Sequence, residues 1–195
     1  ISNNSSSTKV VEFNLATSEI TSFQANFSFP VYSIYVYRDK LFASGDFSSV
    51  NNNSIKWLAA FDLNTKSLLT SWNPSPLGAV YDMFGIDDTL YVCGDFGAIY
   101  NKSRSNMGAI SITTGLPTDW APPSSNKTIR SMSLVGDTLY FGGDFTKVDN
   151  VTRNYLAAIN FKTKKLTDWD PDANNKVITI ITSDRNLYAG GEFTA

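Results

Sequence analysis

Acidic residues recur at one position of the sequence, directly after a glycine and directly before a phenylalanine. The acids are Asp46, Asp95, Asp144 and Glu192. Carboxylate oxygens are ligands that Ca²⁺ prefers, so four such acids around a common axis would form a calcium site. Duplication of one structural unit produces the same recurrence without a metal. We therefore expect no cofactor and no metal, and keep these four acids as the weaker hypothesis of a calcium site.

The chain has no histidine. It therefore lacks the residue needed for Ser/His/Asp and Cys/His nucleophile systems and for most zinc sites. Hydrolysis by carboxylates needs no histidine, and Asp82 is the first candidate for that chemistry. Asp82 lies on a predicted innermost strand, where the other repeats have Ser33, Ser131 and Thr179. An acid in a solvated channel is ordinarily only hydrated, so we expect no enzyme and keep a carbohydrate-active enzyme as the alternative.

The single cysteine, Cys93, is the other candidate nucleophile. It occupies a repeat position that holds the small residues Ser44, Gly142 and Gly190 elsewhere. No histidine or obvious cation is placed to lower its pKa. We expect a buried and inert thiol.

All of these residues belong to one internal repeat. Its first marker is a leucine, at Leu41, Leu90, Leu139 and Leu187, whose positions differ by 49, 49 and 48. A second marker is an aromatic residue, at Phe23, Trp72, Trp120 and Trp169, whose positions differ by 49, 48 and 49. Together with the glycine–acid–phenylalanine motif, three matches in one register indicate an internal duplication.

Each repeat predicts four short strands. The first strands are expected over 31–37, 80–86, 129–134 and 177–181. The second strand, at 139–142, is apolar on successive residues, which indicates burial on both faces of its sheet. The third strand, at 58–61, carries small residues, and the fourth ends in a Trp-x-Pro sequence suited to an outer edge. Four strands in such a repeat predict an all-β fold, a β-propeller of four-stranded antiparallel blades.

The two ends of the sequence each predict half a blade. Residues 9–30 match third and fourth strands, and residues 177–195 match first and second strands. Complete units are expected at about 31–79, 80–128 and 129–176, so 9–195 form one propeller domain with four blade-equivalents. The N-terminal strands would complete the last blade if the ring closes; a segment of a larger ring or array is the alternative. Residues 1–8 are expected to be a flexible lead-in.

The potential N-glycosylation sites are the strongest functional signal in the sequence. Sequons of the form Asn-x-Ser/Thr begin at Asn3, Asn4, Asn26, Asn52, Asn101, Asn126 and Asn150. Three of them, at 52, 101 and 150, recur at the repeat spacing in the loop between second and third strands. Those at 26 and 126 lie near the connection from fourth to first strand, which emerges on the same face of a propeller. We predict one glycan-bearing face; an inherited turn that favours asparagine is the alternative.

The third repeat contains the sequences Leu-Tyr-Phe-Gly-Gly-Asp-Phe-Thr at 139–146 and Arg-Asn-Tyr-Leu-Ala-Ala-Ile-Asn at 153–160, followed by Trp169 and Pro171. These sequences resemble the delta-60 family of propeller-forming repeats. The resemblance extends over roughly residues 9–195 and is weaker in the second blade, and Ser44 and Cys93 stand where the family favours glycine. Members of that family are typically parts of large secreted or surface-attached proteins and share no catalytic residues. The resemblance implies a location and an architecture, and no reaction.

Charge and hydropathy exclude some classes of partner. The 16 Lys and Arg residues nearly balance the 18 Asp and Glu residues, for a net charge of −2. The chain therefore has no basic stripe for nucleic acid, and no apolar run reaches the roughly 20 residues of a membrane-spanning helix. We expect a secreted or cell-surface structural module that binds a protein or glycan. Its half-blade ends also allow a homo-oligomer, a filament, or further repeats of a longer chain.

Overall fold

The computed structural model describes residues 8–194, and every regular element in that part of the chain is a β-strand. The predicted all-β class is therefore confirmed. The sequons at Asn3 and Asn4, and residues 1–7 of the predicted lead-in, lie outside the described residues. Thr8 already begins the first strand.

Three sheets in the middle of the chain follow the predicted repeat, and we call each of them a blade. The first blade contains β3 (Val31–Tyr37), β4 (Lys40–Gly45), β5 (Leu58–Asp62) and β6 (Ser67–Leu68). The second contains β7 (Pro76–Ile86), β8 (Thr89–Ile99), β9 (Lys102–Ser103) and β10 (Met107–Ser111). The third contains β11 (Ile129–Val135), β12 (Thr138–Gly143) and β15 (Leu156–Asn160), with a small hairpin of β13 (Lys147–Val148) and β14 (Val151–Thr152).

The second strand of each blade is buried on both faces, as its continuous apolar pattern predicts. In β4, Leu41 and Ala43 pack in the cluster toward the N-terminal end of the chain, whereas Phe42 packs in the cluster toward the second blade. Alternate residues of a strand point to opposite faces, so a strand between two neighbouring sheets is apolar throughout. The blades therefore stack face to face.

In the three middle blades the fourth strands are very short. β6 has two residues, and the second and third blades have only the single bridges Ile110–Pro117 and Ile159–Leu166 at this place. Proline has no backbone N–H, and the segment after each bridge soon reaches a Trp-x-Pro sequence, so a longer ladder cannot form there.

The tryptophans of this outer segment instead tie one blade to the next. The indole N–H of Trp72 donates to the carbonyl of Ser111, and that of Trp120 donates to the carbonyl of Phe161, both at 3.2 Å. A buried indole finds a hydrogen-bond partner in this way while its ring fills the space between sheets.

Each end of the described chain forms a separate two-stranded sheet. The first hairpin pairs β1 (Thr8–Phe13) with β2 (Ile20–Phe27), and the last pairs β16 (Val177–Ser183) with β17 (Asn186–Gly191). In residues 8–194 these two hairpins do not pair with each other, and no closed propeller is formed. The predicted completion of the last blade by the N-terminal strands is therefore not made within the described chain.

Candidate functional site

A cavity of about 430 Å³ opens where the first strands of all four units come together. Its wall comes from β3, β7, β11 and β16, which are the innermost strands that the repeat predicts. Ligands commonly bind in concave pockets of this size that are lined by apolar and aromatic side chains with a few polar groups. Four residues at equivalent places line the cavity, namely Tyr32, Tyr81, Arg130 and Ile178.

Each of these four residues is the extra residue of a β-bulge. In β3, for example, Val31 lies opposite Gly45 and Ser33 lies opposite Ser44, so Tyr32 has no partner across the strand pair. The same register shift occurs in the other three units. A bulge bends a strand and re-aims a side chain, which explains why this position faces the cavity.

The glycine of the recurrent motif is required by the same geometry. A Cβ atom on Gly45 would lie 2.1 Å from the carbonyl oxygen of Pro30, just before the bulge. A Cβ on the equivalent glycines Gly94, Gly143 and Gly191 would lie 2.0, 2.2 and 2.2 Å from the carbonyl oxygens two residues before each bulge residue. Any side chain would therefore force the first and second strands apart at their ends.

Two tyrosines and one arginine form the polar and aromatic rim of the cavity. The rings of Tyr32 and Tyr81 are stacked with 5.1 Å between centroids, and the Arg130 guanidinium lies 5.4 Å from the Tyr81 centroid. Arg130 also donates two hydrogen bonds of 2.7 Å to the carboxylate of Asp144. This ion pair lowers the pKa of Asp144 and raises that of Arg130, and burial raises the pKa of both tyrosines.

Asp82 lies in the wall of the same cavity and joins two blades. Its carboxylate accepts hydrogen bonds from the backbone N–H groups of Met132 and Met83, both at 2.8 Å, and from the Ser131 hydroxyl at 3.1 Å. The Ser131 hydroxyl in turn accepts from the N–H of Ile180 at 3.2 Å. Burial raises the pKa of Asp82, although these three hydrogen bonds act in the opposite direction. Asp82 is therefore a structural acceptor between blades.

The predicted equivalence of Asp82 with Ser33, Ser131 and Thr179 is confirmed by strand register. All four follow the bulge residue directly and lie opposite equivalent residues of the second strand. Cys93 is the residue opposite Asp82. It is fully buried, and burial raises the pKa of its thiol well above the usual value. The expectation of a buried thiol is thus confirmed.

Two replacements of Asp82 should distinguish the contribution of its hydrogen bonds to stability from that of its charge. Asp82→Ala leaves the Met132 N–H without its acceptor and should cost about 1–3 kcal/mol of unfolding free energy. Asp82→Asn keeps an acceptor oxygen. Because the folded state raises the pKa of Asp82 above its ordinary value of 3.8, wild type should gain stability relative to Asp82→Asn as pH falls through the raised pKa, and lose that gain as pH rises.

Urea unfolding of wild type and both variants between pH 3.5 and 7.5 checks this expectation. A constant difference between wild type and Asp82→Asn over the whole range would show that the Asp82 carboxyl does not titrate abnormally.

The four acids of the recurrent motif are not gathered into one group. In residues 8–194 the structure holds no group of three or more acidic, histidine or cysteine side chains suited to a metal ion. Asp144 is paired with Arg130, and Glu192 lies 3.8 Å from the amine of Lys176. Asp46 and Asp95 are exposed. The backbone N–H of Asp46, Asp144 and Glu192 each donates to the carbonyl before its first strand, which is a repeated structural role.

The sequons in the described chain lie on exposed residues. Asn52 and Asn150 adopt left-handed φ angles of 64° and 65° in two-residue hairpin turns, a conformation in which asparagine is favoured. Asn101 lies in the corresponding turn between β8 and β9. The turn chemistry therefore accounts for the asparagines at 52 and 150 independently of glycosylation.

The loops that carry the other sequons adjoin these turns. The backbone N–H of Asn26 donates to the side chain of Asn51, and the N–H of Asn51 donates to the carbonyl of Asn26. In the third blade the N–H of Asp149 donates to the carbonyl of Ser124, two residues before Asn126. The sequons at 26 and 52, and those at 126 and 150, thus lie in adjacent loops. Asn126 also accepts hydrogen bonds from the N–H groups of Thr146 and Lys147.

Sequence reasoning missed one repeated contact and one single contact outside the cavity. Arg104 and Arg153 donate to the carbonyls of Thr118 and Thr167, so each arginine ties the loop before the third strand to the outer segment of its blade. Asn106 is buried and donates to the carbonyl of Lys127. The two arginines stand one repeat apart, which is a signal in the sequence that could have revealed them.

Comparisons with known proteins identify similar folds but no family for this chain. No family model matches the chain, and no curated protein is similar to it in sequence. The resemblance to delta-60 repeats therefore stays a prediction. In the described residues no helix is long and apolar enough to span a membrane.

Several solved structures share the fold at low sequence identity. The computationally designed Ika8 protein is 10% identical, with a TM-score of 0.58, and the match covers 85% of this chain and 44% of that one. The designed Ika4 protein is 12% identical, with a TM-score of 0.55 and coverages of 85% and 89%. The Neurospora crassa Pan2 WD40 domain is 12% identical, with a TM-score of 0.54 and coverages of 82% and 43%. The chain thus spans less than half of the Ika8 and Pan2 chains, and the similarity indicates a propeller-like all-β fold.

Proposed function

We propose that this chain is a non-catalytic β-propeller module of four blade-equivalents, which acts as a structural scaffold or interaction domain in an extracellular or cell-surface assembly. One observation carries the proposal. Asp82, the only carboxylate among the described residues that line the central cavity, is committed to hydrogen bonds between blades. The rim beside it offers tyrosine faces and a guanidinium that is already paired, which suits recognition of a protein or glycan.

The extracellular location is supported by the placement of the sequons. The asparagines at 52, 101 and 150 project from turns at the same place in successive blades, and those at 26 and 126 lie in adjacent loops. Glycans at these positions would cover one face of the module. The opposite face and the outer edges of the blades would remain for partners.

The intact mass of the native chain tests this part of the proposal. We expect a mass above the 21.5 kDa of the bare chain. That mass should fall when N-glycans are removed enzymatically, and glycopeptides should contain Asn52, Asn101 and Asn150. Peptides from β4 and β12 contain no sequon and should carry no glycan, so they serve as an internal control. A native mass unchanged by the glycosidase would mean that the sequons reflect turn chemistry alone, and would remove the support for secretion.

A carbohydrate-active enzyme is the second candidate function. One observation favours it, namely that burial raises the pKa of Asp82 in a cavity wall, as is common for catalytic acids. Hydrolysis of a glycosidic bond ordinarily uses two carboxyl groups on opposite sides of the bond. Activity on a panel of polysaccharides that is lost in Asp82→Asn, with unchanged folding, would establish this alternative over the binding module.

A further inference from the structure

Large apolar side chains are exposed at the two ends of the described chain. In the first hairpin and the turn that follows β1, Phe13 is 55% exposed and Leu15 is 98% exposed. In the last hairpin, Ile181 and Tyr188 are exposed. β1 and β17 also each have one edge without a partner strand in residues 8–194. Open strand edges beside apolar side chains are typical of surfaces that pair with another strand.

The first hairpin is structurally equivalent to the third and fourth strands of a blade. Phe13 pairs with Ile20 as Phe61 pairs with Leu68 in the first blade. The side chain of Asn14 accepts hydrogen bonds from the N–H groups of Ala16 and Thr17. One repeat later, the side chain of Asp62 does the same for Asn64 and Thr65.

The complete blades show what covers these positions. Phe13 is equivalent to Phe61, Ile110 and Ile159, which are all fully or almost fully buried. Leu15 is equivalent to Ile112 in the second blade, which is also buried. In those blades the side chains pack against the preceding blade, where Trp72 and Trp120 form part of the core. The first hairpin presents the same side chains to solvent.

Beside the last hairpin, the position that a third strand occupies in the complete blades is empty. A cavity of about 420 Å³ lies between β17 and the third blade, lined by Tyr140, Leu156, Trp169, Leu187 and Ala189, among others. In the complete blades the third strand and the turn after it fill this place, and the carbonyls at Ser111 and Phe161 accept the indole N–H of the preceding blade. By the same equivalence, the carbonyl at Asn14 or Leu15 would accept from Trp169.

We propose that the first hairpin of a second copy of this chain occupies this cavity, so that β1 of one copy pairs with β17 of the other and completes a blade. Repeat equivalence defines the register. Leu41 pairs with Phe61 and Ala43 with Ala59 in the first blade, so Leu187 pairs with Phe13 and Ala189 with Val11 of the second copy. The inference rests on the four blade-equivalents of the proposed function but is independent of secretion and glycans.

A second copy fits better than the hairpin of the same chain. Within the described chain the first hairpin is already seated on the first blade, where β1 contacts β3 as β5 contacts β7. The last hairpin is already seated on the third blade. Both half-blades are thus in place and still unpaired, and a second copy joins them without moving either one.

More than four fifths of the chain matches 44% of the Ika8 chain and 43% of the Pan2 WD40 domain, whereas the match to Ika4 covers 89% of that chain. These matches describe how successive units are arranged, and the inference of a second copy rests on the open strand edges and the cavity. Head-to-tail contacts of this kind generate closed rings or filaments, depending on the rotation between copies.

The mass of the chain in solution tests the proposal. Light scattering after size exclusion should give a dimer or a larger assembly of 21.5 kDa units. Leu15→Asp should shift the population to monomer, and because Leu15 is almost fully exposed, the variant should fold as wild type does. Leu116→Asp makes the same change at an exposed leucine of a complete blade and should leave the assembly intact. A wild-type monomer at all concentrations would overturn the proposal.

Cysteine pairing identifies the copy that supplies the hairpin. A mixture of Val11→Cys and Ala189→Cys chains should form a disulfide-linked heterodimer under mild oxidation, since directly opposed residues lie within disulfide reach. Gln24→Cys, one strand farther out on β2, should not link to Ala189→Cys. If the double variant instead yields a monomer with an internal disulfide between its two introduced cysteines, and the mixture yields none, the chain closes on itself and the second-copy proposal fails.

These outcomes are separate from those of the glycan experiment. A chain that assembles but carries no glycan would keep the completed blade and remove the secreted location. A glycosylated monomer would support the secreted location and overturn the completed blade.

Discussion

Replacement of Gly94 by alanine is expected to lower the free energy of unfolding by about 3 kcal/mol or more. The new Cβ would lie 2.0 Å from the carbonyl oxygen of Ala79 and 2.9 Å from the Cα of Val80. Both contacts are with backbone, so no side chain can turn away to relieve them. Relief requires β7 and β8 to separate beside the bulge residue Tyr81, which also faces the central cavity.

A matched control lies farther along the same strand. A Cβ on Gly97 would meet no atom within 4 Å, so Gly97→Ala should change stability by at most about 1 kcal/mol, in the stabilising direction if the backbone tolerates alanine. Urea denaturation followed by tryptophan fluorescence compares the two variants. Equal midpoints for Gly94→Ala and Gly97→Ala would refute the close approach of the strands as the reason for the glycine.

Replacement of Phe145 by alanine is expected to cost about 3–5 kcal/mol. The side chain is fully buried, and its ring centroid lies 5.4 Å from that of Phe141. It packs in the cluster that also contains Val148 of the small hairpin and Ile129 of the first strand. The deletion therefore leaves a cavity among three parts of one blade, which rigid strands cannot collapse to fill.

Phe29 provides the control for this substitution. Its side chain is 56% exposed, so Phe29→Ala should change the unfolding free energy by only about 0.5 kcal/mol. Thermal unfolding monitored by circular dichroism measures both variants. A loss for Phe145→Ala no larger than that for Phe29→Ala would mean that the motif phenylalanine does not hold the blade together.

Much of the architecture was predictable because the sequence repeats. The leucine and glycine markers lie on the second strand of every unit. The first strands lie where they were expected to within two residues, except that β7 begins at Pro76, four residues before the expected start. The register confirms that Asp82 and Ser131 are equivalent. The continuous apolar pattern of β12 correctly indicated burial on both faces. These features depend on residues near each other in the chain, so periodicity is enough to reveal them.

Other features of the site could not be predicted in this way. Tyr32, Tyr81 and Arg130 face the cavity because each is the extra residue of a bulge, and a bulge is a difference in register between two strands. The pairing of Arg130 with Asp144 follows from the same bulge. In the three middle blades each fourth strand pairs over only one or two residues before its proline-containing end, whereas β2 of the first hairpin pairs from Ile20 to Phe27.

The sequence by itself determined the all-β class and the spacing of the repeated residues, because duplication leaves a period that local strand and turn preferences preserve. Only the tertiary structure decided which side chains meet between units, such as Asp82 with the Met132 N–H and Trp120 with the Phe161 carbonyl. It also decided that the first and last hairpins of the described chain pack on their neighbouring blades without pairing with each other. The physical reason is that contacts between sheets depend on stacking and strand register, which repeated residues alone do not encode.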